Sequence, residues 1–187
     1  MGEIMSKPYF EYWKLNKVVP DNVCDLVISI GNWEKGQIGS GNSAVQDNKV
    51  RQSDVVWLHD SFWISTFLRI IHEVNAQSFE FDLTGIEPLQ VTRYKAPKGH
   101  YSFHQDGDGF NTREGDLNPR KLSMSVLLSD KFEGGVFQYQ LGEDPVDVTM
   151  KKGDAVFFPS YYLHRVTPVT KGTRHSLVAW ANGPKLK

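Results

Sequence analysis

Two segments in the first half of the chain carry apolar residues at helical spacing, three or four positions apart. The first helix is predicted from Asp21, which is expected to cap its first turn, to Gly31, which is expected to end it. Its apolar positions are Val23, Leu26, Val27 and Ile30. The second helix is predicted to begin at Asp60 or Ser61, and we expect its apolar stripe to pack in the core. That stripe comprises Ile64, Phe67, Leu68, Ile71 and Val74.

The pattern changes at about Pro88 to short strands separated by turn residues. Eight runs have strand character: LQVTRY, HYSFHQD, KLSMSVLLS, GVFQYQL, VDVTM, AVFFP, HRVTPV and HSLVAWAN. Strands of this length and spacing favour a jelly roll over a parallel α/β sheet. The predicted fold is mostly β with α, in one domain. A double-stranded β-helix is expected over residues 88–187, and a helical N-terminal part over residues 1–87 is expected to pack on it.

The composition is that of an ordinary globular protein, and its main use is to exclude some classes of partner and metal site. Of 187 residues, 40% are hydrophobic and 23% charged, and the net charge of −1 provides no basic field that would indicate nucleic acid or an anionic membrane. Cys24 is the single cysteine, so neither an internal disulfide nor a cysteine-ligated metal cluster is possible. The N-terminus lacks the apolar region of a signal peptide, and no segment reaches the length of a membrane span. A cytoplasmic location is therefore expected.

Three residues are candidates for a metal site. Asp106 follows His104 by two positions, so the two side chains point to one side of a sheet if this stretch is extended. His164 would arrive from a later strand. Two imidazoles and one carboxylate on one face of an octahedral ion leave the opposite face open, as in non-haem Fe(II) oxygenases. The same ligands also suit a zinc hydrolase or a non-catalytic, cupin-like metal-binding module.

Arg174 favours the oxygenase interpretation. It follows His164 by ten positions, and Ser176 shares its face of the predicted strand. A dicarboxylate cosubstrate that chelates the metal with one end needs a cation at its far end. The arginine fork can bind such a carboxylate through two hydrogen bonds. A metal hydrolase has no general need for an arginine at this position.

With these residues identified, the chain resembles the Fe(II)/2-oxoglutarate-dependent oxygenases, and within them the prolyl 4-hydroxylase-like group. The shared motif consists of His104, Asp106, His164, Arg174 and Ser176. Tyr94 stands ten residues before His104, where this group commonly has a tyrosine that binds the 2-oxoglutarate carboxylate. Residues 133–135 resemble the group's Glu-Gly-Gly turn, and residues 152–159 resemble the Gly-Asp-hydrophobic run before the distal histidine.

The resemblance implies a dioxygenase that hydroxylates a substrate C–H bond while 2-oxoglutarate is decarboxylated to succinate. It implies Fe(II), 2-oxoglutarate and O₂, with ascorbate as a reductant. The metal ligands would be His104, Asp106 and His164. Arg174 would bind the 5-carboxylate of 2-oxoglutarate, helped by Tyr94 and Ser176. One position departs from the group: Leu127 stands where relatives have a tyrosine that also binds 2-oxoglutarate.

The expected substrate is a prolyl residue in a peptide or protein. Arg120 matches an arginine near the substrate of hypoxia-sensing prolyl hydroxylases, and Trp180 matches a tryptophan near their iron. A free amino acid or small metabolite is the alternative. Asp108 and Arg113 are further candidates for substrate contact, and the segments 107–119 and 36–48 are long enough to act as lids. No nucleic-acid or membrane partner is expected.

Overall fold

The computed structural model describes residues 12–39, 44–111 and 118–186, and antiparallel strands predominate in it. The helices are α1 (Asp21–Ser29) and α2 (Ser61–Ser78). The strands are β1 (Trp13–Leu15), β2 (Glu34–Lys35), β3 (Arg51–Gln52), β4 (Asp54–Leu58), β5 (Gly85–Ile86), β6 (Leu89–Lys95), β7 (His100–His104), β8 (Arg120–Leu127), β9 (Phe132–Gly134), β10 (Phe137–Gln140), β11 (Val146–Val148), β12 (Ala155–Pro159), β13 (Leu163–Val166) and β14 (Val169–Asn182). Neither of these helices is both long and apolar enough to cross a membrane.

Among the described residues, the strands form two sheets that pack face to face. The larger sheet has the order β1-β12-β8-β14-β6-β4-β2, and β5 and β9 also pair with β14. The smaller sheet has the order β11-β10-β13-β7-β3. This arrangement confirms the predicted double-stranded β-helix with N-terminal helices packed on it.

Side-chain alternation along the strands of the larger sheet separates two apolar cores. Val91 and Leu177 belong to the core that includes Phe67 and Ile71 of α2, so this face of the sheet carries the helices. Tyr94 belongs instead to the core shared with the smaller sheet. On β14 the alternate positions Arg174, Ser176 and Trp180 are also buried, and all lie on the face opposite Leu177. The inner face of the larger sheet is therefore the one that carries the candidate polar residues.

The N-terminal part differs from its predicted helical character, because it also supplies strands to both sheets. β3 pairs with β7 in the smaller sheet, and β4 pairs with β6 in the larger one, with Val56 opposite Val91. Such strands are only two to five residues long. Their formation depends on partners that follow much later in the chain, which local periodicity does not reveal.

The two helices agree with the sequence to different degrees. In α2, Asp60 caps the first turn as predicted, since its carboxylate accepts from the backbone N–H of Phe62 at 2.9 Å. In α1 the cap position is Pro20, and Asp21 instead pairs with Lys17 at 2.6 Å. The predicted apolar face of α1 is also wrong in part, because Leu26 is 55% exposed. Cys24 and Val27 are the buried positions, so the helix is rotated relative to the expected stripe.

Replacing Asp60 by alanine is expected to destabilise the fold by about 1 kcal/mol, the usual contribution of a helix N-cap. The replacement leaves a backbone N–H of the first turn of α2 without its partner. Urea unfolding followed by circular dichroism measures the change. Asp21→Ala is the matched control at the start of α1, and it should leave the unfolding midpoint unchanged. Equal midpoints for Asp60→Ala and the native protein would contradict the assigned cap.

Candidate metal centre and adjoining cavity

Antiparallel pairing brings the three predicted metal ligands together. His104 at the end of β7 lies in register with His164 on β13. Asp106 follows β7 directly, and its backbone N–H donates to the Ser160 carbonyl at 2.9 Å. The Asp106 carboxylate lies 3.7 Å from Nε2 of His104 and 3.5 Å from Nε2 of His164. All three ligand atoms lie within 4.8 Å of one another, which is the separation that a shared metal ion requires.

Hydrogen bonds to the backbone set the tautomer of each histidine. Nδ1 of His104 lies 2.8 Å from the Ser102 carbonyl, and Nδ1 of His164 lies 3.0 Å from the Tyr162 carbonyl. A carbonyl oxygen only accepts, so each Nδ1 carries the proton and donates it. Each Nε2 therefore presents a lone pair toward Asp106, which is the state in which imidazole binds a metal.

The protonation states of the triad also suit a metal. Burial is the main cause and the neighbouring His164 the second, and together they lower the pKa of His104 to about 3. Burial alone would raise the pKa of Asp106, but the imidazoles of His164 and His104 outweigh this effect and keep that pKa below its usual range. Ser123 Oγ also donates to Asp106 Oδ2 at 2.7 Å. A neutral His104 beside an ionised carboxylate is the protonation state that metal binding requires.

A cavity of about 370 Å³ lies next to the triad, between the two sheets. The residues that line it include Tyr94, Ser176, Arg120 and Trp180. Gln37, Gly39 and Ala44 also line it, so part of the predicted lid segment 36–48 lies beside the cavity. Because Gln37 and Gly39 are exposed, residues 36–39 mark the mouth of the cavity and are called the mouth segment. Both predicted lids, 36–48 and 107–119, fall partly outside the described residues, and lid motion of either segment stays a prediction.

The guanidinium of Arg174 is buried, and one of its nitrogen atoms has no hydrogen-bond partner among the described residues. The residue is 2% exposed, and among the described residues its Nη1 has no hydrogen-bond partner. Its guanidinium carbon lies 5.7 Å from the ring centre of Tyr94, the residue opposite it on β6. Burial lowers the pKa of this group, yet arginine stays charged in proteins. A buried cation with an unused donor fits an anionic ligand, such as the far carboxylate of a dicarboxylic acid.

Leu127 stands where the prolyl 4-hydroxylase-like group that this chain resembles has a tyrosine, and its position in the structure agrees with that difference. Leu127 and Arg174 both line a second cavity of about 270 Å³, and Phe137 lines this cavity as well as the first. Leu127 thus shares this cavity with Arg174 and offers no hydroxyl to a carboxylate there. Any hydroxyl that assists Arg174 must come from elsewhere on the inner face of the sheet, where Tyr94 and Ser176 lie.

Arg120 has a partner that the sequence did not reveal. Its Nε and Nη2 both donate to the carboxylate of Glu87, and its guanidinium carbon lies 3.6 Å from the ring centre of Trp180. Asn182 donates to the same carboxylate at 3.2 Å. Glu87, Arg120 and Trp180 all line the cavity, and together they form one wall of it. Glu87 carried no sequence signal because it lies in a short loop before β6.

The two remaining candidates for substrate contact do not join this wall. The Asp108 carboxylate accepts from the backbone N–H groups of Phe110 and Asn111 at 2.8 and 2.7 Å, and Asp108 does not line the cavity. It stabilises its own turn, as aspartate commonly does in loops. Arg113 lies outside the described residues.

Comparisons with known proteins identify the family. Residues 89–182 match the 2OG-Fe(II) oxygenase superfamily. A PKHD-type hydroxylase of Sphingopyxis alaskensis is 30% identical over 171 residues, which cover 87% of this chain and 74% of that protein. The chain belongs to the 2OG-Fe(II) oxygenase superfamily. Membership implies Fe(II) as the metal and 2-oxoglutarate and O₂ as cosubstrates, and the triad has the chemistry of an Fe(II) site.

Solved structures of prolyl hydroxylases share the fold of this oxygenase. The viral collagen prolyl hydroxylase of Paramecium Bursaria Chlorella virus-1 has a TM-score of 0.70 at 23% identity, over 93% of this chain and 97% of that chain. The prolyl hydroxylase of Trichoplax adhaerens, solved with a hypoxia inducible factor peptide, has a TM-score of 0.72 at 16% identity, over 92% and 83%. At these identities the likeness concerns the architecture alone.

Removing the Ser123 hydroxyl is expected to weaken metal binding. Outer partners of metal-ligating groups commonly contribute about 10- to 100-fold to metal affinity, so Ser123→Ala should raise the Kd for Fe(II) or Co(II) by roughly that factor. Anaerobic titration measures it. Ser125→Ala, two positions along the same strand, is the matched control and should bind the metal normally. Unchanged affinity in Ser123→Ala would show that its bond to Asp106 does not orient the ligand.

Proposed function

We propose that this protein is an Fe(II)- and 2-oxoglutarate-dependent dioxygenase that hydroxylates a prolyl residue in a peptide or protein. The observation that carries the proposal is the triad of converging metal ligands in a fold that also buries Arg174, whose Nη1 has no hydrogen-bond partner among the described residues. In this proposal His104, Asp106 and His164 hold Fe(II). Arg174 binds the 5-carboxylate of 2-oxoglutarate, and the hydroxyls of Tyr94 and Ser176 assist it.

When Fe(II) and 2-oxoglutarate are bound, they supply the oxidising chemistry that puts one oxygen atom of O₂ into a C–H bond and turns 2-oxoglutarate into succinate and CO₂. The protein orients these groups and keeps water away. Phe158 and Val166 line the cavity beside the triad and provide its apolar walls. Burial raises the pKa of Tyr94, so its hydroxyl stays protonated and can donate to a carboxylate. Ascorbate is the proposed reductant that keeps the iron ferrous.

The wall formed by Arg120 and Trp180 supports a peptidyl proline as substrate. Trp57 lies 6.0 Å from Trp180 between ring centres and also lines the cavity, so two indoles are available to pack against a pyrrolidine ring. Glu87 occupies two donors of Arg120, and the Nη1 edge lies outside that pair. This edge suits the carbonyl oxygen of a peptide. The Trichoplax relative was solved with a peptide, which agrees with a substrate of this class.

A free amino acid is the alternative substrate, and the charges around the cavity favour it to some degree. Glu34, Lys35 and Glu87 line the cavity together with Arg120, so groups of both signs are available to a zwitterion. The two substrate classes differ in one property that is easily tested. A peptidyl hydroxylase modifies a proline whose amino and carboxyl groups are both blocked, whereas a zwitterion-binding enzyme does not.

Activity itself is tested with Fe(II), 2-oxoglutarate, ascorbate and a library of proline peptides with blocked ends. Mass spectrometry is expected to show a +16 Da shift on a proline residue, with succinate formed in step. Free proline and other free amino acids are assayed in parallel. Modification of a free amino acid without any peptide product would replace the substrate proposal. If the anaerobic protein gives no visible band with Fe(II) and 2-oxoglutarate and no succinate with any substrate, the dioxygenase proposal itself fails.

The role of Arg174 is tested by Arg174→Ala. Loss of a charged, two-pronged hydrogen bond should raise the KM for 2-oxoglutarate by roughly 10- to 100-fold, while the protein still binds Fe(II). Lys171→Ala removes an exposed charge from the same strand and should leave this KM unchanged. Steady-state succinate formation and metal titration give the two values. Normal turnover of Arg174→Ala at low 2-oxoglutarate would assign the carboxylate to another residue.

A further inference from the structure

A β-bulge places an aromatic ring against one metal ligand. His104 lies three positions after Tyr101 on β7, whereas their partners on β13, His164 and Val166, are two positions apart. β7 therefore contains one extra residue. Strict alternation would put Tyr101 and His104 on opposite faces, and the extra residue brings them to the same face. Their rings are stacked, with centres 3.5 Å apart and planes inclined by 14°.

Arg51 contacts the same tyrosine from the neighbouring strand. It lies opposite Tyr101 in the pairing of β3 with β7, and its guanidinium carbon is 4.6 Å from the tyrosine ring centre. A guanidinium over an aromatic face is attracted by the ring electrons, and this attraction is stronger when the cation is removed from water. Arg51 is 7% exposed, so the contact lies in a largely dry environment.

Hydrogen bonds from the Arg51 guanidinium connect the stacked rings of Tyr101 and His104 to two residues that line the cavity, Gln37 and Gln90. Nη1 donates to the Gln37 carbonyl at 2.9 Å, and Gln37 lines the cavity mouth. Nη2 donates to Gln90 Oε1 at 2.7 Å, and Gln90 lines the cavity from β6. Nε donates to Ser53 Oγ at 2.8 Å. The mouth segment runs so close to this side chain that a Cβ on Gly36 would lie 2.8 Å from Nε.

We propose that Arg51 and Tyr101 are positioning residues for the metal centre. Tyr101 holds the plane of the His104 imidazole, and Arg51 holds Tyr101 and ties it to the mouth segment at Gln37. The bond from His104 Nδ1 to the Ser102 carbonyl fixes one edge of the imidazole, and the stacked ring restricts rotation of its plane. This inference rests on the proposed function, in which His104 binds the iron.

The test uses Co(II) alone as the probe, because its visible absorption reports ligand geometry without turnover. In the full chain, Tyr101→Leu should raise the Kd for Co(II) about 10-fold, which is the lower end of the effect seen for groups that orient metal ligands. The same variant should also shift the visible absorption bands of bound Co(II). Tyr101→Phe keeps the ring and should retain the native spectrum. Arg51→Met should shift the bands in the same direction as Tyr101→Leu, and Arg51→Lys, which keeps the charge, should shift them less.

Arg165→Met is the matched control. The Arg165 guanidinium carbon lies 4.4 Å from the ring centre of Phe103, also on β7, but that ring is not stacked on a metal ligand. This variant should leave the Co(II) spectrum unchanged. Circular dichroism verifies folding of each variant, and Arg51→Met decides the question if Tyr101→Leu does not fold.

The outcomes separate this inference from the proposed function. Native Co(II) affinity and bands in folded Tyr101→Leu or Arg51→Met overturn the positioning role. Shifted bands in these variants, together with a native protein that never forms succinate, support the positioning role and refute the proposed reaction. A native protein that does not bind Co(II) at all overturns both.

Discussion

The site depends first on the pairing of β7 with β13, which places His104 opposite His164. Because the two imidazoles are neighbours across a hydrogen-bonded ladder, the backbone sets their separation more than side-chain rotamers do. Asp106 is fixed in a similar way, since the carbonyl of Ser160 accepts from its backbone N–H at the end of β12. A divalent ion therefore meets three ligands that need little rearrangement, which lowers the entropy cost of binding it.

The second constraint is the buried charge of Arg174. Desolvating a guanidinium without a complete set of acceptors costs free energy, which the surrounding structure has to offset. β14 is suited to this because it lies between β8 and β6, pairing with β6 over residues 173–178 and with β8 over residues 176–182. The fold thus holds a buried cation on the inner face of the larger sheet, and if an anion binds there, as proposed, it is expected to stabilise the folded protein by mass action.

The sequence predicted the residues that can be recognised from residue type and spacing along the chain. It did not predict the contacts that depend on which strands pair and in what register. The His-x-Asp pair, the distal histidine, the arginine ten positions later and the Asp60 cap follow from spacing and residue type. The Arg51–Tyr101 contact does not, because it needs the register of β3 against β7 and a bulge that breaks the two-residue alternation. Glu87 was missed for the same reason. Its partner Arg120 comes from another strand, and nothing near Glu87 in the chain indicates that pair.

The metal ligands and the remaining groups of the site belong to different sheets, so their relative placement needs an explanation of its own. His104 and His164 lie on the smaller sheet, whereas Tyr94, Arg174 and Trp180 lie on the larger one. Apolar packing between the sheets is non-directional and does not fix their relative position by itself. Two hydrogen bonds that connect the sheets add direction: Ser123 on β8 donates to Asp106 after β7, and Arg51 on β3 donates to Gln90 on β6. Both are buried, where a lost partner is costly. These polar contacts at the cavity, added to the apolar packing, therefore help to fix the position of the His-Asp-His triad relative to Tyr94 and Arg174.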